Sequence, residues 1–202
     1  MTFLITGFPR SGTAYMGRLL RALGYSVGAE HTPGEDGKVS WPHLLQAYKF
    51  DIVLHQMRNP LKVIGSAHTI RCENFNSFFN FLGFPPRELH KYAEPKPMQA
   101  GVEDTALSRF YTEESLLYAL MWSWLHWTRK AREVSKLTYH IESFPRYYPI
   151  VFRTLNLPIP DRLPDIPFDV NTRKTQPNYR ILTWDDLEAV DKPLTDKIRQ
   201  AR

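Results

Sequence analysis

At 202 residues, 43% apolar and 13% aromatic, the chain has ample material for one folded domain, so disorder is not the default reading. Its 26 basic against 21 acidic residues give a net charge of +5, which favours anionic ligands: nucleotides, sulfated or phosphorylated molecules, or nucleic acid. The single cysteine, Cys72, excludes a disulfide framework and a paired-cysteine metal site, and reads as a small buried apolar residue.

Residues 2–6, TFLIT, form an apolar and β-branched run ended by Gly7, the pattern of a buried parallel strand. Tyr15, Met16, Leu19, Leu20 and Leu23 then recur at helical spacing from Gly12 to Leu23, and Gly24 suits the C-terminal end of that helix. YSVG (25–28) reads as a second strand, AEHTPGEDGKVS as a polar loop, and a short helix is expected near Pro42. FDIVLH (50–55) is a third buried strand, followed by a helix from about Pro60 to Cys72 with proline in its first turn. Residues 73–111 read as a long irregular insertion. Its Phe75, Phe78, Phe79, Phe81 and Phe84 either pack on the core, the favoured reading, or line an apolar pocket.

A long helix is expected from about Thr112 to Glu133. Thr112 caps it, Glu113 and Glu114 suit its positive end, and Lys130 and Arg132 suit its negative end. Its apolar stretch LLYALMWSWLHW is broken by Ser123 and His126 and is short for a bilayer span. KLTYHI (136–141) is a fourth strand, with a helix to about Leu155, a proline-rich extended stretch over 156–182 and short helices at the end. Strand, loop and helix alternate along one expected domain, 1–202. This predicts an α/β fold in which a parallel central sheet is flanked by helices and ligands sit at the carboxyl ends of the strands. No signal-like segment is seen, so a soluble, cytoplasmic protein without a membrane partner is expected.

The loop GFPRSGTAYM (7–16) resembles the phosphate-binding pattern G-x-x-x-x-G-K-[ST], with Gly7 and Gly12 correctly spaced but Thr13 where the lysine belongs. A helix beginning after Gly12 offers unpaired N–H groups and a positive dipole end, and Arg10, Ser11 and Thr13 add a cation and two hydroxyls. The bland alternative is an ordinary glycine turn. A nucleotide kinase or hydrolase also needs the missing lysine and a Mg²⁺-holding acid at a neighbouring strand end. In FDIVLH the acid, Asp51, lies at the start, and His55 lies near the end. No His or carboxylate cluster has metal-ligand spacing, so no metal is expected. No aromatic-basic RNA module appears, so no nucleic-acid partner is expected.

FLITGFPRSGTAYMGRLL resembles the 5′-phosphosulfate loop of sulfotransferases that use 3′-phosphoadenosine 5′-phosphosulfate (PAPS), in which Lys or Arg precedes Ser-Gly-Thr. RNPLKVIGS is similar to that family's 3′-phosphate motif, an Arg followed eight residues later by Ser, here Arg58 and Ser66. YHIESFPRYYPIVFRTLNLPIP resembles a further segment of the family. The resemblance covers about residues 2–72 and 136–160. It implies the P-loop-like sulfotransferase fold, PAPS as donor, adenosine 3′,5′-bisphosphate as product, and a small-molecule or glycan acceptor. Pro9, Arg10, Ser11, Gly12, Thr13 and Ala14 would take the phosphosulfate, and Arg58 and Ser66 the 3′-phosphate. NTRKTQPNYR offers Arg173 and Lys174 where the family closes an Arg-Lys-Gly segment over that phosphate, although Thr175 replaces the glycine.

By the same resemblance the catalytic base falls on the loop after the second strand, which holds Glu30, His31, Glu35 and Asp36. Glu30, next to the expected strand end, is the first choice, and His31, with its natural pKa near neutrality, is the second. Arg10 would stabilise the leaving phosphate as a fixed positive charge. His55 and His68 read as structural. Two other classes stay open at this point: a P-loop kinase or nucleoside triphosphatase, and a non-catalytic nucleotide binder.

Overall fold

The computed structural model describes residues 2–29, 32, 34–42, 44–47, 49–69, 113–166 and 181–202. They group into two compact units. One lies within Met1–Asn59 and Trp127–Pro177 together with Arg202, the other within Pro60–His126 and Asn178–Ala201.

The first unit holds a five-stranded, all-parallel sheet of β1 (Phe3–Thr6), β2 (Val27–Ala29), β3 (Gly37–Ser40), β4 (Ile52–Met57) and β5 (Leu137–His140), in the order β2-β3-β1-β4-β5. β1 is buried along its whole length, as a strand covered on both faces must be. One face carries Phe3, Ile5, Val27, Val39, Ile52, Leu54 and Tyr139. Against it lie Tyr15, Met16, Leu19 and Leu20 of α1 (Thr13–Ala22) and Phe144, Val151 and Phe152 of α5 (Phe144–Thr154). Burying each such side chain contributes about 1.5–3 kcal/mol, so this layer fixes where the strand ends sit. The alternation of strand side chains sends Thr6, Ser40, Val53, His55 and Met57 to the opposite face. There the Nη2 of Arg132, from α4 (Glu113–Val134), lies 3.1 Å from Met57 Sδ.

The second unit contains α3 (Pro60–Thr69), the part of α4 up to His126, and α6 (Trp184–Ala201). α6 is interrupted at Asp191, whose backbone is extended (φ −158°, ψ 101°). The Asp191 carboxylate accepts the Leu194 N–H at 2.8 Å and so caps the stretch that follows. The expected pair of short helices is thus present, as is the short helix expected near Pro42, α2 (Leu44–Ala47). No described helix is long and apolar enough to cross a membrane.

Two sequence expectations need correction. GKVS, expected as loop, is β3, paired on one side with β1 and on the other with β2. Its glycine is needed: a Cβ at Gly37 would stand 2.5 Å from the Phe3 carbonyl oxygen and 2.7 Å from the Phe3 ring. β4 runs two residues beyond the expected end at His55, to Met57. The expected insertion 73–111 with its phenylalanines, and Cys72, lie outside the described residues.

Candidate anion-binding site

Four side chains and one loop meet at the carboxyl ends of β1, β4 and β5. The chain leaves β1 through Gly7, whose N–H donates to the Ser40 carbonyl at 3.3 Å. A side chain there would overlap the Gln56 carbonyl oxygen and Ser11 Oγ, so only glycine permits the close approach. The Ser11 N–H turns back to the Phe8 carbonyl at 2.9 Å. On either side of it Arg10 (φ 74°) and Gly12 (φ 93°) take left-handed backbone, free of strain for glycine and costly for arginine. The loop then enters α1 at Gly12 with no side chain capping the helix.

The loop carbonyls are held from β4. Gln56 Nε2 donates to the Ser11 carbonyl at 2.9 Å, and Arg58 Nη1 to the Arg10 carbonyl at 3.1 Å. Tyr139 of β5 donates its hydroxyl to Gln56 Oε1 at 2.8 Å. The Asn59 N–H donates to Glu142 Oε1 at 3.0 Å, just beyond β5. Ser11 Oγ is buried and has no hydrogen-bond partner among the described residues, an arrangement that costs about 1–3 kcal/mol unless a ligand or water completes it. An uncapped helix start, a buried hydroxyl and an arginine loop suit an anion: N–H and O–H donors, a cation and the positive end of the dipole act together.

The predicted residues fall as follows. Pro9, Arg10, Ser11 and Gly12 form the loop, and Thr13 and Ala14 are the first residues of α1. Arg58 joins them, bonded to the loop itself. Ser66 lies buried on α3 of the second unit, as does His68. Glu30, His31, Arg173 and Lys174 lie outside the described residues. Glu35 and Asp36 do not stand at the carboxyl ends. The Asp36 carboxylate accepts the Ser26 N–H at 2.7 Å, and the Glu35 N–H donates to Ser26 Oγ at 3.2 Å, which sets both at the amino ends of β2 and β3. Since β3 begins at Gly37, the chain has already returned to the far edge of the sheet by Glu35. Asp51 is likewise at the amino edge, accepting the Thr2 N–H at 2.6 Å.

Sequence reasoning missed Gln56, Tyr139 and Glu142. The signal for Gln56 was an amide inside a buried run two residues before Arg58. His55, beside Gln56 but on the opposite face, pairs in register with Thr6, which pairs with Ser40. His55 Nδ1, Thr6 Oγ1 and Ser40 Oγ are all buried without a partner among the described residues. Burial first, then Arg132 and His140, pushes the His55 pKa down to about 3, so the ring is neutral at physiological pH. Compared with known proteins, the chain matches no family model and no curated protein sequence.

Proposed function

We propose that the chain is a sulfotransferase with a P-loop-like fold that moves the sulfuryl group of PAPS to an acceptor hydroxyl or amine. The observation that carries the reading is the loop at the start of α1: Arg58 and Gln56 occupy its carbonyls, α1 is uncapped and Thr13 stands where a lysine would serve a triphosphate. The sequence resemblance supplies the donor. In this reading the N–H groups at the start of α1, with Arg10 and Ser11, hold the 5′-phosphosulfate, and Arg58 meets the 3′-phosphate through its remaining N–H groups. The acceptor oxygen or nitrogen forms its bond to sulfur as the bond from sulfur to the bridging phosphate oxygen breaks. The acceptor proton passes to Glu30, or to His31 in its place, and the bridging electron pair leaves with adenosine 3′,5′-bisphosphate. Arg10 stays charged throughout and stabilises the negative charge that grows on the leaving phosphate.

Calorimetry with adenosine 3′,5′-bisphosphate in the absence of Mg²⁺, beside ATP with Mg²⁺, tests this. The expected result is tight binding of the bisphosphate without metal and weaker binding of Mg·ATP. A preference for Mg·ATP would replace the reading with a kinase or nucleoside triphosphatase. Binding of the bisphosphate without sulfuryl transfer to any of a panel of hydroxyl and amine compounds would leave a nucleotide binder.

A further inference from the structure

We infer that Gln56 and Tyr139 are positioning residues: a buried relay that orients the Ser11–Gly12 peptide so that its N–H faces the bound anion. The inference rests on the anion-binding reading of the loop. A trans peptide is planar, with its C=O and N–H pointing in opposite directions. Gln56 Nε2 draws the Ser11 carbonyl toward β4, so the Gly12 N–H on the same peptide points away from β4. Gly12 has the left-handed backbone this requires, and a Cβ there would stand 3.3 Å from Gln56 Nε2 and 3.1 Å from Ile141 Cγ1. A carbonyl oxygen turned the other way would meet an anion with its negative end.

The Gln56 amide has two ends, and its orientation decides whether it offers a donor or an acceptor to Ser11. The Ser11 carbonyl can only accept, so Nε2 must face the loop, and Oε1 is left to accept the Tyr139 hydroxyl, which burial keeps protonated. Both residues are buried, Gln56 completely, so water does not substitute for either partner. The relay runs from β5 through β4 to the loop, tying three strand ends to one peptide.

Three proteins test it: wild type, Gln56→Glu and Tyr139→Phe. The first readout is amide exchange at Ser11 without ligand, because its N–H bond to Phe8 depends on the loop keeping its turn. Exchange should rise about tenfold in Gln56→Glu near pH 8 and severalfold in Tyr139→Phe. The second is affinity for adenosine 3′,5′-bisphosphate relative to wild type at the same pH. The Gln56→Glu carboxylate has no proton to give the Ser11 carbonyl near pH 8, and affinity should fall more than about tenfold. Near pH 5.5 the buried carboxyl takes up a proton, regains a donor and should recover to within about threefold of wild type. Tyr139→Phe should lose about threefold to tenfold at both pH values, without recovery. A residue with only a bulk structural role would lower the melting temperature and leave the Gln56→Glu to wild-type ratio flat with pH. That flat ratio, or unchanged Ser11 exchange in both variants, overturns the relay alone. Wild type that binds neither the bisphosphate nor pyrophosphate overturns the anion-binding reading and the relay with it.

Discussion

Arg10 sits in left-handed backbone, φ 74°, where a side chain costs roughly 1–2 kcal/mol and glycine costs nothing. Comparing Arg10→Gly with Arg10→Ala isolates that strain, since both remove the guanidinium and every contact it makes. Alanine keeps a Cβ in the unfavourable region. Glycine removes it but adds about 0.4–1 kcal/mol of chain entropy to the unfolded state. The glycine variant should therefore be the more stable by about 0.5–1 kcal/mol, or about 2 °C in melting temperature for a chain of this size. Both should lose roughly 1.5–3 kcal/mol of affinity for adenosine 3′,5′-bisphosphate, the range for hydrogen bonds to a charged group. Urea titrations and calorimetry on the two variants give both numbers. An alanine variant as stable as the glycine one would show that residue 10 is not held left-handed. Undiminished affinity in both would remove Arg10 from the anion site. Stability regained by glycine relative to alanine, with binding lost in both, is the signature of strain kept for function.

His55, with a pKa of about 3 in the fold against 6.5 in the unfolded chain, binds fewer protons folded than unfolded between those values. Its contribution is full above about pH 6.5 and is lost as pH falls toward 3, about 2 kcal/mol by pH 5. Urea titrations should find His55→Leu less acid-sensitive than wild type by that amount, and equal sensitivity would show that the ring is not buried neutral. Arg58→Ala should weaken both adenosine 5′-monophosphate and adenosine 3′,5′-bisphosphate, because the Arg10 carbonyl loses its brace. It should weaken the bisphosphate by about 1.5–3 kcal/mol more, and equal calorimetric losses would take Arg58 off the 3′-phosphate. If the chain is the proposed sulfotransferase with Glu30 as base, Glu30→Gln should lower sulfuryl transfer by about 10²–10⁴ with donor affinity nearly unchanged. Normal turnover there with a dead His31→Ala variant would pass the base to the histidine.

What the sequence announced well was whatever carried its own periodicity. β1, α1, α4 and β4 each bury a continuous run or a helical stripe, and local spacing suffices to see them. β3 has no such stripe: of Gly37, Lys38, Val39 and Ser40 only Val39 enters the core. It is a strand because β1 and β2 supply ladders on both sides and Gly37 admits the Phe3 carbonyl, and β1 lies far back along the chain. Missing it also displaced Glu35 and Asp36 to the wrong end of the sheet. A four-residue strand parallel to β2 obliges the chain to return to the amino edge before it begins, and that moves Glu35 and Asp36 to the other end of the sheet.

The candidate site divides along the same line. Arg10, Ser11, Gly12 and Thr13 are contiguous, and the spacing of two glycines ahead of an apolar helix made them visible. Gln56 and Tyr139 act on the same loop from 45 and 128 residues away from Ser11, and nothing local distinguishes a relay glutamine from any other buried amide. Yet their place follows from the sheet once its order is known. β4 lies between β1 and β5, so a side chain near its end that shares the face of Leu54 and Tyr139 reaches the loop on one side and the tyrosine on the other. His55, one residue earlier, is turned to the opposite face and instead meets Thr6 in register. The alternation of a single strand thus separates a polar side chain that orients the loop from one whose neutrality depends on pH.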